Sequence, residues 1–129
     1  MERKGDNKKL IVLVEDEKIM VSLLTKKLEG AGFEVKVAGD GAAGLALVKE
    51  AQPDLVLLDM LLPTLNGFGL LEKLVEEKLL PGLPVIIISN SGQPIEIERA
   101  RKLGVRDYLI KVNFDPQELL VKVNHILKS

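Results

Sequence analysis

The sequence predicts an α/β domain, a parallel sheet of five strands with helices packed on both faces. Three observations carry that expectation. Leu10-Ile-Val-Leu-Val14, Leu55-Val-Leu-Leu58 and Val85-Ile-Ile-Ile88 are short, unbroken apolar runs, the signature of strands buried on both faces. The segments between the runs space their apolar residues at helical intervals. Strand and helix patterns alternate strictly along 129 residues, a length that suits one compact core.

Taken in order, residues 1–8 form a polar stretch and are expected to be a mobile tail ahead of a domain at 9–129. Leu10–Val14 is the first strand. The first helix, Lys18–Glu29, places Met20, Leu24 and Leu28 on one stripe with Ile19 and Leu23 beside them, and Gly30-Ala31-Gly32 stops it. Glu34–Ala38 alternates polar and apolar residues as a short strand. Asp40 can cap a second helix through Leu45 and Val48 that ends at Gln52-Pro53. The third strand follows, then a third helix capped by Asn66 with Phe68, Leu71, Leu74 and Val75 near one face. Pro81-Gly82-Leu83-Pro84 is a turn into the fourth strand, which ends on Ser89-Asn90-Ser91-Gly92. Pro94 suits the first turn of a fourth helix whose stripe of Ile97, Ala100 and Leu103 stops at Gly104. Arg106–Ile110 is the fifth strand, with Lys111 directly after it. Asp115-Pro116-Gln117-Glu118 opens the last helix, which turns Leu119, Leu120, Val123, Ile126 and Leu127 inward. No repeat, low-complexity stretch or linker interrupts the order, and no second domain is expected behind the last helix.

Composition removes several function classes. Hydrophobic residues make up 47% of the chain, too many for a disordered segment. A net charge of -1 argues against a strongly basic nucleic-acid footprint, and 3% aromatic content argues against a stacking platform for single strands. With no cysteine there are no disulfides or thiolate metal sites, which suits a reducing cytoplasm. No apolar run approaches the ~20 residues of a membrane span, and the polar start lacks a signal core.

Ligands of open parallel sheets bind beyond the carboxyl ends of the strands. The first strand delivers Glu15 and Asp16 there, the third Asp59, the fourth Ser89 and the fifth Lys111. Clustered carboxylates repel unless a cation neutralises them, and an all-oxygen set with few protein ligands favours Mg2+ or Mn2+. A hard cation beside Asp59 attracts a phosphoryl donor, which Asp59 can attack as a carboxylate nucleophile. Ser89 can donate a hydrogen bond to one phosphoryl oxygen and Lys111 can balance another. Singly, each residue has a plainer role: Asp16 as a helix cap, Ser89 as a turn residue, Lys111 as a solvated charge. Asp59 between Leu58 and Met60 is harder to dismiss, because an isolated acid among apolar residues is costly. Their shared position at one end of consecutive strands is what gives the set meaning. His125, the one histidine, is expected half exposed on the last helix without a catalytic role. Lys26-Lys27, Glu76-Glu77-Lys78 and Arg99 to Lys102 are expected to be solvated helix faces.

Four motifs, Leu13-Val-Glu15-Asp16-Glu17, Asp59-Met-Leu-Leu-Pro63-Thr-Leu-Asn66-Gly67, Pro84-Val-Ile-Ile-Ile-Ser89 and Leu103-Gly-Val-Arg-Asp-Tyr108-Leu-Ile-Lys111, together resemble the receiver domain of two-component response regulators. The likeness runs from about Lys9 to Leu127. It implies a flavodoxin-like fold with sheet order 2-1-3-4-5. It further implies that Asp59 is the phosphoacceptor, that Asp16 helped by Glu15 holds Mg2+ with Asp59 and the backbone carbonyl of Leu61, and that Ser89 is the switch hydroxyl. Tyr108 would be the aromatic residue that turns inward, and Lys111 the lysine that pairs first with the acid and then with the phosphoryl group. The donor in such systems is a phosphohistidine on a sensor histidine kinase or a phosphotransfer protein. The output is a downstream protein target or an attached domain, with no direct contact to nucleic acid or membrane and with dimerisation on phosphorylation as an option. The action is that of a signalling switch, not a turnover enzyme.

The chain departs from the family at three places. Val112 stands where proline usually follows the lysine. A cis bond before a non-proline residue costs about 2.5–4 kcal/mol, so a rearranged loop is expected there. Asn90 follows the switch hydroxyl where a small residue is usual. Leu61 and Ser91 occupy the two positions that tune hydrolysis, and a leucine cannot orient a water. A long-lived aspartyl phosphate is therefore expected. Three other readings compete. A phosphatase of the haloacid dehalogenase type needs a second acid where Leu61 stands. A degenerate receiver would act by binding alone, and Val112 and Asn90 would be its support. A flavodoxin would set the acids 15–17 against a flavin phosphate.

Overall fold

The computed structural model describes residues 8–80, 82–90, 93–113 and 115–128. The expected tail at 1–8, apart from Lys8, and the expected role of Ser91 lie outside the described residues. Eleven elements follow in order: β1 (Leu10–Val14), α1 (Lys18–Gly30), β2 (Glu34–Ala38), α2 (Gly41–Ala51), β3 (Leu55–Asp59), α3 (Gly67–Glu76), β4 (Val85–Ser89), α4 (Pro94–Lys102), β5 (Asp107–Ile110), a 3-10 turn (Lys111–Asn113) and α5 (Pro116–Lys128). The five strands pair in parallel in the order β2-β1-β3-β4-β5, the flavodoxin-like topology that the resemblance implies.

Successive strand residues point to opposite faces, so each apolar run feeds two cores. Val12, Val14, Val56, Leu58, Val85 and Ile87 pack against Val48 of α2, Leu70, Leu71 and Leu74 of α3 and Ala100 of α4. Ile11, Leu13, Leu55, Leu57, Ile86 and Ile88 pack against Leu24 and Leu28 of α1 and Leu119 and Val123 of α5. Burial on both faces explains why these strands show no polar alternation.

The local signals act where the residues place them. The Asp40 side chain caps α2 by accepting from Ala43 N at 2.8 Å, and Asn66 caps α3 by accepting from Gly69 N at 2.9 Å. Pro94 opens α4, and Asp115 Oδ1 accepts from Gln117 N at 2.9 Å where α5 begins. Gly32 (φ 97°) and Gly104 (φ 104°) take the left-handed turns that end α1 and α4.

Several boundaries differ from expectation. The third and fourth strands run one residue beyond their apolar runs, because Asp59 pairs with Ile88 and Ser89 with Ile110 in the ladder. The fifth strand starts at Asp107 instead of Arg106, and the first helix includes Gly30. Ile19 is 86% exposed, since Leu24 and Leu28 already fill the inward stripe of α1. No helix among the described residues is long and apolar enough to cross a membrane.

Candidate functional site

Among the described residues, the polar or charged residues buried as a whole are Glu15, Asp59 and Ser89. All stand at the carboxyl edge of the sheet. Asp59 and Ser89 are the last residues of β3 and β4, and Glu15 and Lys111 are the first residues beyond β1 and β5. Polar groups are costly to bury alone, so the sheet must supply their partners there.

Lys111 is the main partner. Its Nζ lies 3.1 Å from Glu15 Oε1 and 3.2 Å from Asp59 Oδ2, and it also bonds Glu17 Oε1. Lys111 Nζ also reaches Glu15 Oε2 at 3.2 Å, and backbone donors complete the set. Leu61 N donates to Asp59 Oδ1 at 3.1 Å, and Glu17 N donates to Glu15 Oε2 at 3.1 Å. Oxygens of Glu15, Glu17 and Asp59 all lie within 4.8 Å of one another.

That group differs from the expected one. Glu15 and Asp59 meet, but Asp16 is exposed and stands outside the group, and Glu17 takes the third place. The backbone explains the exchange. The Glu17 N–H turns back onto Glu15 Oε2 and both side chains reach Lys111, which leaves Asp16 between them exposed. The Glu-Asp-Glu spacing behind a buried strand was the signal in the sequence for this.

Electrostatics follow from burial. Desolvation pushes the Glu15 carboxyl up to about 7 and the Asp59 charge adds to that, while the Glu17 N–H and the Lys111 ammonium pull it back. Burial acts to lower Lys111, but its bonds to Glu17 and Glu15 and the charges of Asp59 and Glu15 outweigh it and hold the ammonium well above its usual range. The site is therefore cationic at its centre and acidic around it. Three carboxylates with oxygens this close suit a hard divalent cation, and nothing in the donor set favours a softer metal.

Ser89 is hydrogen-bonded to Tyr108, one strand away. Burial raises the Tyr108 hydroxyl, partly offset by that bond, and the Glu96 charge adds to the rise. Tyr108 is half-buried and packs beside Leu103 and Val105 against the α2–α3–α4 core. Ile97, Ala100, Val105 and Tyr108 border a cavity of about 160 Å3 between α4 and β5. Leu61 is 69% exposed in the loop behind Asp59, and Val112 is 78% exposed in the 3-10 turn behind Lys111. His125 is exposed and lies away from the acids, on α5.

A second set of bonds, which no local pattern in the sequence announces, fixes the loop after Asp59. Thr64 Oγ1 donates to Asp40 Oδ1 and accepts from Ala42 N, both at 3.1 Å, and Gly41 N donates to Pro63 O at 3.1 Å. The Ala43 N–H and then the Thr64 hydroxyl hold the Asp40 carboxyl below its usual range. The N-terminus of α2 is thereby sewn to the loop that carries Leu61.

Three comparisons bear on this geometry. The family model described as the response regulator receiver domain matches residues 11–124. The chain is 34% identical over 118 residues to the DNA-binding response regulator MtrA of Mycobacterium tuberculosis, covering 92% of this chain and 50% of that protein. It is 34% identical over 122 residues to the alkaline phosphatase synthesis transcriptional regulatory protein PhoP of Bacillus subtilis, covering 95% and 49%. The chain thus spans about half the length of the curated relatives it matches. Among solved structures it superimposes on the receiver domain of the Francisella response regulator 1452 with a TM-score of 0.86 at 30% identity, covering 93% of this chain and 97% of that one. A CheY-like receiver domain protein from Methanospirillum hungatei gives 0.85 at 30% identity, with 94% of each chain covered.

Proposed function

The chain belongs to the response regulator receiver family, and from that premise we propose that it accepts a phosphoryl group on Asp59 and passes the change to a partner through Ser89 and Tyr108. The observation that carries this reading is the burial of Glu15, Asp59 and Ser89 at one sheet edge around the Lys111 ammonium. A fold gains nothing in stability from gathering such groups, since an apolar residue of similar size serves a core at least as well.

Asp59 Oδ2 forms the bond to phosphorus while the donor's phosphorus–nitrogen bond breaks, and the leaving imidazole keeps that electron pair. Glu15, Asp59 and the Leu61 carbonyl are the groups that would hold Mg2+ or Mn2+, with Asp16 at the rim. The bound ion would supply charge neutralisation between carboxylate and phosphoryl oxygens. Lys111 turns from the acids to a phosphoryl oxygen as negative charge builds there. Ser89 exchanges its bond with Tyr108 for one with the phosphoryl group. Tyr108, which already borders the cavity with Ile97 and Val105, is then freed to shift within it, which reshapes the surface of α4, β5 and α5. A few kcal/mol of differential binding inverts such a two-state equilibrium.

The donor is a phosphohistidine of a sensor histidine kinase or a phosphotransfer protein, and the setting is the cytoplasm. This domain reads out by protein contact. Nucleic acid is left to whatever output a longer protein carries, in keeping with relatives named as DNA-binding regulators that are about twice its length. The reading makes the chain a switch and not a turnover enzyme, because exposed Leu61 stands where a phosphatase of the aspartate class needs its second acid. Intact-mass measurement after acetyl phosphate and Mg2+ tests it. The wild type should gain one phosphoryl group and Asp59→Asn none, with the variant's melting transition retained. Phosphorylation of Asp59→Asn would remove Asp59 from the role.

A further inference from the structure

The acids behind β1 and β3 already hold a cation, the Lys111 ammonium. Glu15 and Asp59 have work in the proposed chemistry. Glu17, the third acid of the cluster, is given no step there, yet its carboxylate bonds Lys111 as directly as theirs do. It is not spent on capping, since Glu17 is the N-cap of α1 and makes no side-chain cap bond. Nor is it buried with the others: its side chain is 59% exposed against 6% for Lys111 and 1% for Glu15. Glu17 reaches in from solvent over the lysine.

The geometry points to Glu17 as a positioning residue, a tether that keeps the Lys111 ammonium on the carboxylates until a divalent ion displaces it. This rests on the reading of Asp59 and its ion given above and adds to it a resident competitor. The ammonium and the divalent ion need the same oxygens of Glu15 and Asp59, so what strengthens the lysine's hold weakens the ion's.

Removing the Glu17 charge acts on the ion in two opposed ways. It takes away one attracting carboxylate, and it loosens the lysine. The first effect is reduced by solvent, because more than half of the Glu17 side chain faces water. The second is not, because the repelling ammonium is nine-tenths buried among the ion's own oxygens, where screening is weak. The loosening therefore wins. Lys111 keeps Glu15 and Asp59 as partners in the variant, so the fold loses no buried charge balance.

Calorimetric titration of Mg2+ into the unphosphorylated chain reads this directly. Glu17→Gln is expected to bind Mg2+ about two- to fivefold more tightly, the range set by one partly exposed ion pair. Glu17→Ala carries the same expectation, so a folding fault in one variant leaves the test intact. Tighter binding by a variant that melts like the wild type supports the tether. Unchanged binding overturns it, and weaker binding overturns it by making Glu17 a ligand of the ion. A wild-type chain that takes up neither Mg2+ nor a phosphoryl group would instead sink the Asp59 reading, and the tether would fall with it.

Discussion

At the scale of single residues, Glu15 carries the clearest solution signature. Its carboxyl is raised from 4.5 to about 7 by burial, so the folded chain holds a proton there that the unfolded chain has released. Between those values the native state binds more protons than the unfolded state. Unfolding free energy must then fall as pH rises from about 4.5 to 7 and level off above. The metal-free protein is expected to melt at lower temperature at pH 7.5 than at pH 5.5, and Glu15→Gln to lose that part of the slope. Thermal denaturation at both pH values in the presence of a chelator checks it. Leu61 carries the second signature. Its exposed apolar side chain beside Asp59 cannot orient an attacking water, so the phosphoryl group should be long-lived and Leu61→Asn should shorten its lifetime severalfold. Following phosphate loss by intact mass decides this. A wild-type half-life of seconds, unchanged in the variant, would remove the argument. Asp59, Ser89 and Lys111 were legible in the sequence because a polar residue closing an apolar run has one place to go. Glu17 was legible only as an acid two residues beyond Glu15, because its reach to Lys111 depends on the turn behind β1.

At the scale of elements, the loop between β3 and α3 is the part held with least slack. A Cβ built on Gly67 would come within 2.7 Å of Met60 Cα and 2.3 Å of its sulfur. The side chain could swing aside, but the backbone of Met60 adjoins Asp59 and cannot move alone. Gly67→Ala is expected to cost about 1–3 kcal/mol, an overpacking loss, and to slow phosphoryl uptake because Asp59 is dragged along. Denaturant melts and acetyl phosphate kinetics measure the two effects. The α4 helix is the contrasting case. Ala100 is its one fully buried residue, and Arg99 supplements it by lying 4.1 Å over the Phe68 ring while bonding Glu72 Oε2 at 2.9 Å. The sequence marked Arg99 as a solvated charge, and it is exposed, yet it also clasps α3. Helix starts and stops were readable from Asp40, Asn66, Pro94 and Gly104 because those signals act within a few residues. The ties from Thr64 to Asp40 and from Arg99 to Phe68 join positions 24 and 31 residues apart by number, beyond any local pattern.

At the scale of the whole molecule, parallel pairing is what turns separate acids into one site, since every strand ends at the same edge. The alternation of strand and helix made the parallel pairing readable in the sequence, while the strand order came from the family resemblance. The division of apolar residues between two cores was not readable, because a run such as Val85–Ile88 gives no sign of which side chain faces which layer. The α4–β5–α5 face is where the change at Ser89 and Tyr108 should reach the outside, with Ile95 of α4 already 76% exposed. Phosphorylation-dependent pairing through this face would appear in size-exclusion chromatography as a shift to dimer volume after acetyl phosphate and Mg2+. Asp59→Asn should show no shift, and a wild type that is phosphorylated yet stays monomeric would refute pairing. The crowding of three acids on one lysine also bears on how such a domain would decay. Losing any one acid leaves the lysine two companions, whereas losing the lysine strands mutually repelling charges, two of them hidden from water. A duplicate gene released from signalling would therefore shed its carboxylates before its lysine, and descendants that had gone silent would be told by which of the four they still kept.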